Sequence, residues 1–161
     1  METSWMPRRY RSVVLVPLVI AILVLLKPAK ADLNPAALAY KLPDQIQWST
    51  PDARGNQNAV LVGDPDKPGF YVVLTKWLKG NHFSHPHFHP NDRYIMVLQG
   101  TWWVGTGPKW DPEHNSVPMP AGSFVTHFGK QVHWDGAKDE DAVLLIMGEG
   151  PGTATAVEES K

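Results

Sequence analysis

Four of the seven histidines in the chain lie within eight positions, in the stretch HFSHPHFH at residues 82–89. Side chains on a β-strand alternate between its two faces, so His85, His87 and His89 share one face and His82 has the opposite parity. Imidazoles with this spacing can converge on one metal ion, at nitrogen–metal distances of about 2.0–2.1 Å. A solvated loop rich in histidine is the alternative. Because the H-x-H-x-H pattern adjoins a predicted strand, we favour a metal site.

The segments that must position these histidines are predicted to be short β-strands separated by turns. The chain has 13 glycines and 15 prolines, and this punctuation is typical of an all-β sandwich or barrel. Pro86 and Pro90 have no N–H to donate to a neighbouring strand, so the histidines are expected at a strand end or sheet edge. A short helix is predicted over 32–45, and a flexible tail over 151–161. The predicted strands are 46–48, 59–62, 70–78, 94–98, 101–104, 122–127, 132–134 and 142–147.

The stretch HFHPNDRYIMVLQG, residues 87–100, resembles the first motif of the cupin family, H-x-H-x3-E-x6-G. Its two histidines and Gly100 match the motif, and Gly80 lies one position further away than the usual leading glycine. Arg93 occupies the position of the glutamate. This likeness extends to the small exported single-domain cupins.

The stretch GSFVTHFGKQVH, residues 122–133, is similar to the second cupin motif, G-x5-P-x-G-x2-H. Gly122 and His133 keep its glycine, its histidine and the spacing between them. Phe128 and Lys130 replace its proline and its second glycine. Together the two motifs cover roughly residues 58–150.

The resemblance implies a β-barrel of jelly-roll type over residues 58–150, with an N-terminal extension, 32–57, packing on it. It also implies one divalent transition metal, of which Fe, Mn, Ni, Cu and Zn are all candidates. Carried over position by position, the ligands are His87, His89 and His133. In the family the glutamate of the first motif is a further ligand, and this chain lacks it.

Arg93 at the glutamate position is the most informative departure from the family pattern. A guanidinium is permanently charged and cannot bind a cation. At about 5 Å from a divalent ion, with an effective dielectric near 20, the repulsion is on the order of 6–7 kcal/mol. Arg93 is therefore expected to bend away, to pair with an acid such as Asp92, or to face an anion. The alternative interpretation of Arg93 is a surface salt bridge without a role in binding.

His127 is a candidate replacement for the missing ligand, with His85 in reserve. It precedes His133 by six residues, and a hairpin of that size would place both on neighbouring strands. A half-buried imidazole bonded to a carbonyl is the other interpretation of His127. A metal site built from neutral histidines carries the ion's full charge and attracts anions, and Arg93 could hold a carboxylate through two hydrogen bonds. The expected ligand is therefore a small organic acid.

The aromatic residues are expected to belong mainly to the core, with a pocket at the barrel mouth as the alternative. Of the adjacent Trp102 and Trp103, one indole should point inward and the other outward. Trp110 lies in the loop that follows, and Trp134 directly follows His133. Asp135 is close enough to His133 in the sequence to contact a metal-binding side chain without binding the metal itself.

The N-terminus is typical of a secretory signal peptide. Three arginines precede an apolar run from Val13 to Leu26, and an A-x-A sequence ends at Ala31, so cleavage is expected between Ala31 and Asp32. A retained membrane anchor is the alternative, although 14 apolar residues are fewer than the roughly 20 that cross a bilayer. The expected location is the periplasm or the exterior, with membrane contact only through this segment.

Composition argues against nucleic-acid binding and limits the atoms that could hold a metal. The chain has a net charge of −1, and without residues 1–31 it has 10 basic and 15 acidic residues, a net charge of −5. A mildly acidic domain without a basic run argues against nucleic acid as a partner. There is no cysteine, so any metal must be held by nitrogen and oxygen.

Three classes of function remain. The first is a metalloenzyme acting on a small acid or phenol, as an oxygenase, a decarboxylase or an isomerase. The second is a non-catalytic module that binds a metal or a ligand. The third is a metal-free binder that relies on aromatic residues and Arg93. Fold alone does not decide among them; we rank the enzyme narrowly first. Cupins often dimerise, which makes a homodimer possible.

Overall fold

The computed structural model describes residues 33–158, in which two antiparallel β-sheets enclose the core. The described residues from Tyr40 onward belong to one compact unit. The predicted signal peptide, residues 1–31, lies outside the described residues. Within residues 33–158, no helix is long and apolar enough to cross a lipid bilayer.

The strands follow one another closely, as the alternation of β-prone runs and turns predicts. In the described part of the chain they are β1 Asn56–Val62, β2 Gly69–Trp77, β3 His82–Phe83, β4 His87–Phe88, β5 Arg93–Gln99, β6 Thr101–Thr106, β7 Val117–Pro120, β8 Phe124–His127, β9 His133–Ala137, β10 Ala142–Gly150 and β11 Thr155–Ala156. One sheet has the order β1-β2-β10-β5-β8. The other has the order β11-β4-β9-β6-β7, with β3 pairing with β9. The predicted all-β fold class is confirmed.

The core lies between the two sheets because alternate residues of each strand point inward. Along β10, for example, Ala142, Leu144 and Ile146 are buried while the residues between them are only partly covered. Both sheets contribute to one cluster of buried apolar side chains, whose members are Tyr71, Val73, Trp77, Ile95, Val97, Trp102, Val104, Ala137, Ala142, Leu144 and Ile146. This shared core fixes how the strand ends of the two sheets meet.

The short helix predicted over 32–45 is not shown in the described residues of that range. Asn34 starts one turn, in which its side-chain oxygen accepts the N–H of Ala36 at 3.0 Å, and the turn does not continue. The helix that does form is a single 3-10 turn, Pro43–Gln45. Helix nucleation is unfavourable in so short a segment, and the residue before a proline is biased toward extended backbone, which is the conformation of Leu42.

The predicted strand 46–48 is not a strand, but the chain next to it contacts the barrel. The backbone N–H of Ser49 donates to the carbonyl of Asn58 on β1 at 2.8 Å. The ammonium of Lys76 on β2 lies 4.6 Å from the centre of the Trp48 ring.

Part of the tail predicted to be flexible, within the described residues 151–158, pairs with the barrel. Thr155 and Ala156 form β11 and pair with Phe88 and His87 of β4. The N–H of Val157 continues this contact by donating to the carbonyl of Pro86 at 2.9 Å. The edge of the second sheet is therefore covered by the C-terminal residues of the chain, next to the histidine stretch.

Candidate functional site

Three histidine rings meet at one end of the two-sheet structure. His87 begins β4, His133 begins β9, and these two residues are directly opposite each other in the sheet; His89 follows β4. The ring centres are 4.5 Å apart for His87 and His133, 5.0 Å for His87 and His89, and 5.3 Å for His89 and His133. One ring nitrogen from each lies within 4.8 Å of the other two. The fold thus brings together the three histidines implied by the cupin resemblance, and this group could hold a metal ion.

Backbone carbonyls orient all three rings in the same sense. Nδ1 of His87 lies 2.8 Å from the carbonyl of His85, and Nδ1 of His133 lies 3.0 Å from that of Gln131. Nδ1 of His89 lies 3.1 Å from two carbonyls, those of residues 152 and 153. A carbonyl oxygen can only accept a hydrogen bond, so each Nδ1 carries the proton and each Nε2 carries the lone pair.

Such carbonyl contacts are the usual way in which proteins orient histidine ligands, because they fix both the tautomer and the plane of the ring. Nε2 of His133 is buried and has no hydrogen-bond partner, which is costly for a polar atom unless something binds there. Neutral imidazole nitrogens suit divalent zinc, copper, iron and nickel. The donor set therefore fits a transition metal.

His127 lies beside this group and is not part of it. It ends β8, and its ring centre is 3.8 Å from that of His133. Neither of its ring nitrogens has a hydrogen-bond partner although both are buried, so the alternative of a ring bonded to a carbonyl is wrong. The hairpin expected between His127 and His133 is also wrong, because β8 and β9 belong to different sheets. The two rings meet across the interior.

Arg93 points into the same region from the start of β5. It is directly opposite His127 on β8 and Gly148 on β10. Its Nη1 lies 2.8 Å from Nε2 and 3.4 Å from Nδ1 of His89, so the guanidinium lies over one of the three converging rings, close to its Nε2. The expectation of a pair with Asp92 is wrong, because Asp92 instead accepts the N–H of Gly129 at 2.7 Å. Nε of Arg93 is buried without a partner, which also rules out a surface salt bridge.

Asp135 supplies the negative charge in this part of the interior. It is 5% exposed, and its carboxylate accepts hydrogen bonds from the hydroxyl of Ser84 at 2.8 Å and from the indole N–H of Trp102 at 3.0 Å. Burial alone would raise the pKa of Asp135, but attraction to His87, His127, His133 and Arg93 outweighs it and holds the pKa below its ordinary value. Asp135 is therefore a carboxylate that balances the charge of Arg93.

A cavity of about 370 Å³ opens beside the histidines. Its lining includes His87, His89, Arg93 and Asp135 together with inward side chains of β2. Among the latter, burial raises the pKa of the Tyr71 hydroxyl while the charge of Arg93 opposes the rise. The cavity therefore combines apolar side chains with charged and polar groups, among them Arg93, which can meet an anion.

Burial keeps the inner histidines neutral. It lowers the pKa of His89 to about 3, with the charge of Arg93 adding to the effect. It likewise lowers the pKa of His133 to about 4 and that of His127 to about 2. At pH 7 protons therefore do not compete for the nitrogen lone pairs of these rings.

The other histidines named by the sequence lie outside the converging group. His85, the reserve ligand, stacks on Trp110 with ring centres 4.7 Å apart. His114 is exposed and pairs with Asp111 at 3.0 Å, and His82 is half-buried in β3. None of the three contributes a nitrogen to the group formed by the other rings in the described part of the chain.

The tryptophans belong mainly to the core, as expected. Trp102 and Trp134 are fully buried. Trp103 is only half-buried and faces outward, with the ammonium of Lys138 lying 3.7 Å from its ring centre. The expectation that one indole of the adjacent pair points inward is confirmed. Trp77, which the sequence did not single out, lines the cavity instead.

Two contributors to the site were missed by the sequence reasoning. Ser84 both donates to the carboxylate of Asp135 and accepts its backbone N–H at 2.9 Å, although the two residues are 51 positions apart. The carbonyls of Gly152 and Thr153 orient His89 from the tail. No local pattern marks either contact, because each depends on how distant strands pair.

Comparison with solved structures places the fold among known ones. The polyketide cyclase RemF from Streptomyces resistomycificus is 16% identical with a TM-score of 0.61, covering 77% of this chain and 88% of its own. KdgF from a Halomonas species is 19% identical with a TM-score of 0.53, covering 70% and 95%. An RmlC-like cupin from Shewanella frigidimarina is 14% identical with a TM-score of 0.53, covering 68% and 88%. At these identities the likeness concerns the fold alone. No protein-family model and no curated protein sequence matches the chain.

The lowered pKa values predict that the metal-free protein loses stability in mild acid. The unfolded chain binds protons at its histidines near pH 6.5, whereas His89, His127 and His133 bind them in the folded state only near pH 4 or below. Stability is therefore complete above pH 6.5 and falls as the pH decreases, with a slope approaching about 4 kcal/mol per pH unit for three such groups. Urea unfolding in chelator between pH 7.5 and 5 measures this slope. His127→Phe should reduce it by about a third, and a midpoint independent of pH would contradict the burial of these rings.

The contact between the tail and His89 predicts that a truncation weakens metal binding. A chain ending at Pro151 lacks the carbonyls of Gly152 and Thr153 and should bind zinc about 10–100-fold more weakly, as for other groups that orient ligands. A chain ending at Glu158 keeps both carbonyls and β11, and it is the matched control. Equal zinc affinity of the two chains, measured by calorimetry, would show that the tail does not position His89.

Proposed function

We propose that this chain, which has the cupin fold, is an exported metalloenzyme that acts on a small organic acid or phenol. The reaction would be of the oxygenase, decarboxylase or isomerase type. One divalent transition metal (Fe, Mn, Ni, Cu or Zn) would bind at His87, His89 and His133. The observation that carries the proposal is the shared orientation of these rings, whose Nδ1 atoms face carbonyls, together with the convergence of one ring nitrogen from each to within 4.8 Å of the other two.

His127 is the proposed fourth ligand, with His85 in reserve. Support comes from the close approach of the His127 and His133 rings, whose centres are 3.8 Å apart, and from the two buried, unpartnered nitrogens of His127. A buried imidazole without any hydrogen bond costs free energy, and coordination would satisfy one of these nitrogens.

A bound divalent ion would supply a Lewis acid and, with neutral ligands only, its full double positive charge. The chain's own residues do the rest. Arg93 would hold the carboxylate of the substrate through two hydrogen bonds. The buried carboxylate of Asp135 offsets part of the positive charge, and Val73, Trp77 and Ile146 in the cavity wall would shield the substrate from water.

A non-catalytic module that binds metal or ligand is the second candidate. The position of Arg93 favours its ligand-binding form, because a guanidinium 2.8 Å from Nε2 of His89 repels a metal ion bound at that nitrogen. The fold is compatible with both candidates; a polyketide cyclase is among the proteins that share it, but fold does not determine function.

Metal content tests the proposed site. Protein purified without a histidine tag should contain about one metal ion per chain by elemental analysis. Removing a ligand with His133→Ala should weaken metal binding by at least the roughly 10–100-fold that loss of a supporting group costs. His114→Ala, which removes an exposed histidine, is the control and should retain the metal. Equal metal content in the two variants would place the metal elsewhere.

The same preparations separate the two candidates. In the cobalt-loaded protein, an enzyme with an open coordination position should change its visible spectrum when azide is added. A module with a closed coordination sphere should not. An unchanged spectrum at full cobalt occupancy would therefore favour the non-catalytic candidate.

The export proposal rests on the N-terminal sequence, in which arginines precede the apolar run 13–26 and an A-x-A sequence follows. Mass spectrometry of the protein from a bacterial periplasmic fraction should give a chain that begins at Asp32. Recovery of the protein with Met1 and the apolar run still attached, in the membrane fraction, would show a retained anchor instead.

A further inference from the structure

Arg93 places a positive charge next to the position where a metal ion would bind. Because Nδ1 of His89 donates to the carbonyls of Gly152 and Thr153 at 3.1 Å, the only lone pair of this ring is on Nε2. Nη1 of Arg93 lies over the ring, 2.8 Å from Nε2 and 3.4 Å from Nδ1. A divalent ion at about 2.0–2.1 Å from Nε2 would lie within about 5 Å of this nitrogen, and the two positive charges repel each other. Arg93 in this position therefore opposes metal binding through His89.

The cavity provides the space into which the side chain of Arg93 can turn. Tyr71, Gly148 and Arg93 are directly opposite one another across β2, β10 and β5, so glycine lies between two long inward side chains. A Cβ atom at Gly148 would be 3.1 Å from the Tyr71 hydroxyl, which shows how closely the tyrosine approaches this position. The guanidinium already lines the cavity that Tyr71 also lines, so it can turn into that space.

When Arg93 turns away from His89, its positive charge lies in the cavity. Asp135 cannot move with it. The carboxylate of Asp135 is held by Ser84 at 2.8 Å and Trp102 at 3.0 Å. In residues 33–158 no carboxylate forms an ion pair with Arg93. An external carboxylate would supply the missing partner, because it can accept two N–H groups of a guanidinium at once.

We propose that Arg93 couples metal binding to anion binding, so that a carboxylate in the cavity draws Arg93 from His89 and tightens metal binding. This inference rests on the proposed metal site. Without an anion, Arg93 opposes metal binding at His89. With one, the arginine is engaged elsewhere and the three nitrogens are available. By linkage, the metal must raise the affinity for the anion by the same factor.

Zinc alone and benzoate are suitable probes, with benzamide as an uncharged ligand of nearly the same shape. The dissociation constant of zinc is measured by competition calorimetry at constant ionic strength and increasing benzoate. We expect it to fall to a plateau at least about fivefold lower, within the usual range of coupling between sites. Benzamide should leave it unchanged. The affinity for benzoate should rise by the same factor when zinc is saturating.

Two variants locate the effect. Arg93→Met removes the positive charge beside His89, so zinc should bind at least about fivefold more tightly without an anion, and benzoate should have no further effect. Lys138→Met is the matched control, because it removes a positive charge from a residue that does not line the cavity. The ammonium of Lys138 lies 3.7 Å from the centre of the outward-facing Trp103 ring, and its loss should leave the benzoate effect intact. If Arg93→Met does not fold, the comparison of benzoate with benzamide on the unchanged protein still decides.

The outcomes distinguish the two proposals. Zinc binding that tightens with benzoate but not with benzamide supports the coupling. Zinc binding that is unaffected by benzoate, or an effect that is also lost in Lys138→Met, overturns the coupling and leaves the metal site standing. No zinc binding under any of these conditions overturns the proposed metal site, and the coupling with it.

Discussion

The site depends on one constraint, which is the choice of ring nitrogen that carries the proton in each of the three imidazoles. In His87 and His133 the proton points to a carbonyl only two residues earlier in the chain, so local backbone geometry is enough to turn Nε2 inward. In His89 it points to carbonyls of the tail, more than 60 residues away. Two of the rings are therefore oriented as soon as their strands form, and the third only when the tail has docked.

This difference explains how much of the structure could be predicted. Alternation along a strand predicted that His85, His87 and His89 share one face. His87 and His89 do converge, but β4 covers only His87 and Phe88 and His85 stacks on Trp110 instead; motif spacing added His133. Alternation could not show that β8 and β9 belong to different sheets, because strand pairing depends on contacts between distant residues. The docking of Thr155 on Phe88 was missed for the same reason. A tail without apolar alternation gives no local sign of a strand.

The charges at the site are arranged differently from what the family motif implies. The glutamate position of the first motif holds Arg93, and the buried acid is Asp135, two residues after His133 and on the same face of β9. Hydrogen bonds from Ser84 and Trp102 satisfy both oxygens of this acid, which is what allows a carboxylate to remain ionised in the interior. An acid so occupied is a counter-charge, and coordination is left to nitrogen.

The interior therefore contains polar atoms that the rest of the fold does not satisfy. Nε2 of His133, both nitrogens of His127 and Nε of Arg93 are buried without a hydrogen-bond partner, and each costs free energy in the folded state. Elsewhere in the core, apolar side chains from both sheets pack together in the ordinary way. In residues 33–158 two indole N–H groups, those of Trp77 and Trp134, are also buried without a partner. The imidazole and guanidinium atoms differ from these in belonging to one group of adjoining residues and in being able to meet a metal ion or an anion, which makes this cluster the place where a bound ligand would relieve the largest unsatisfied cost.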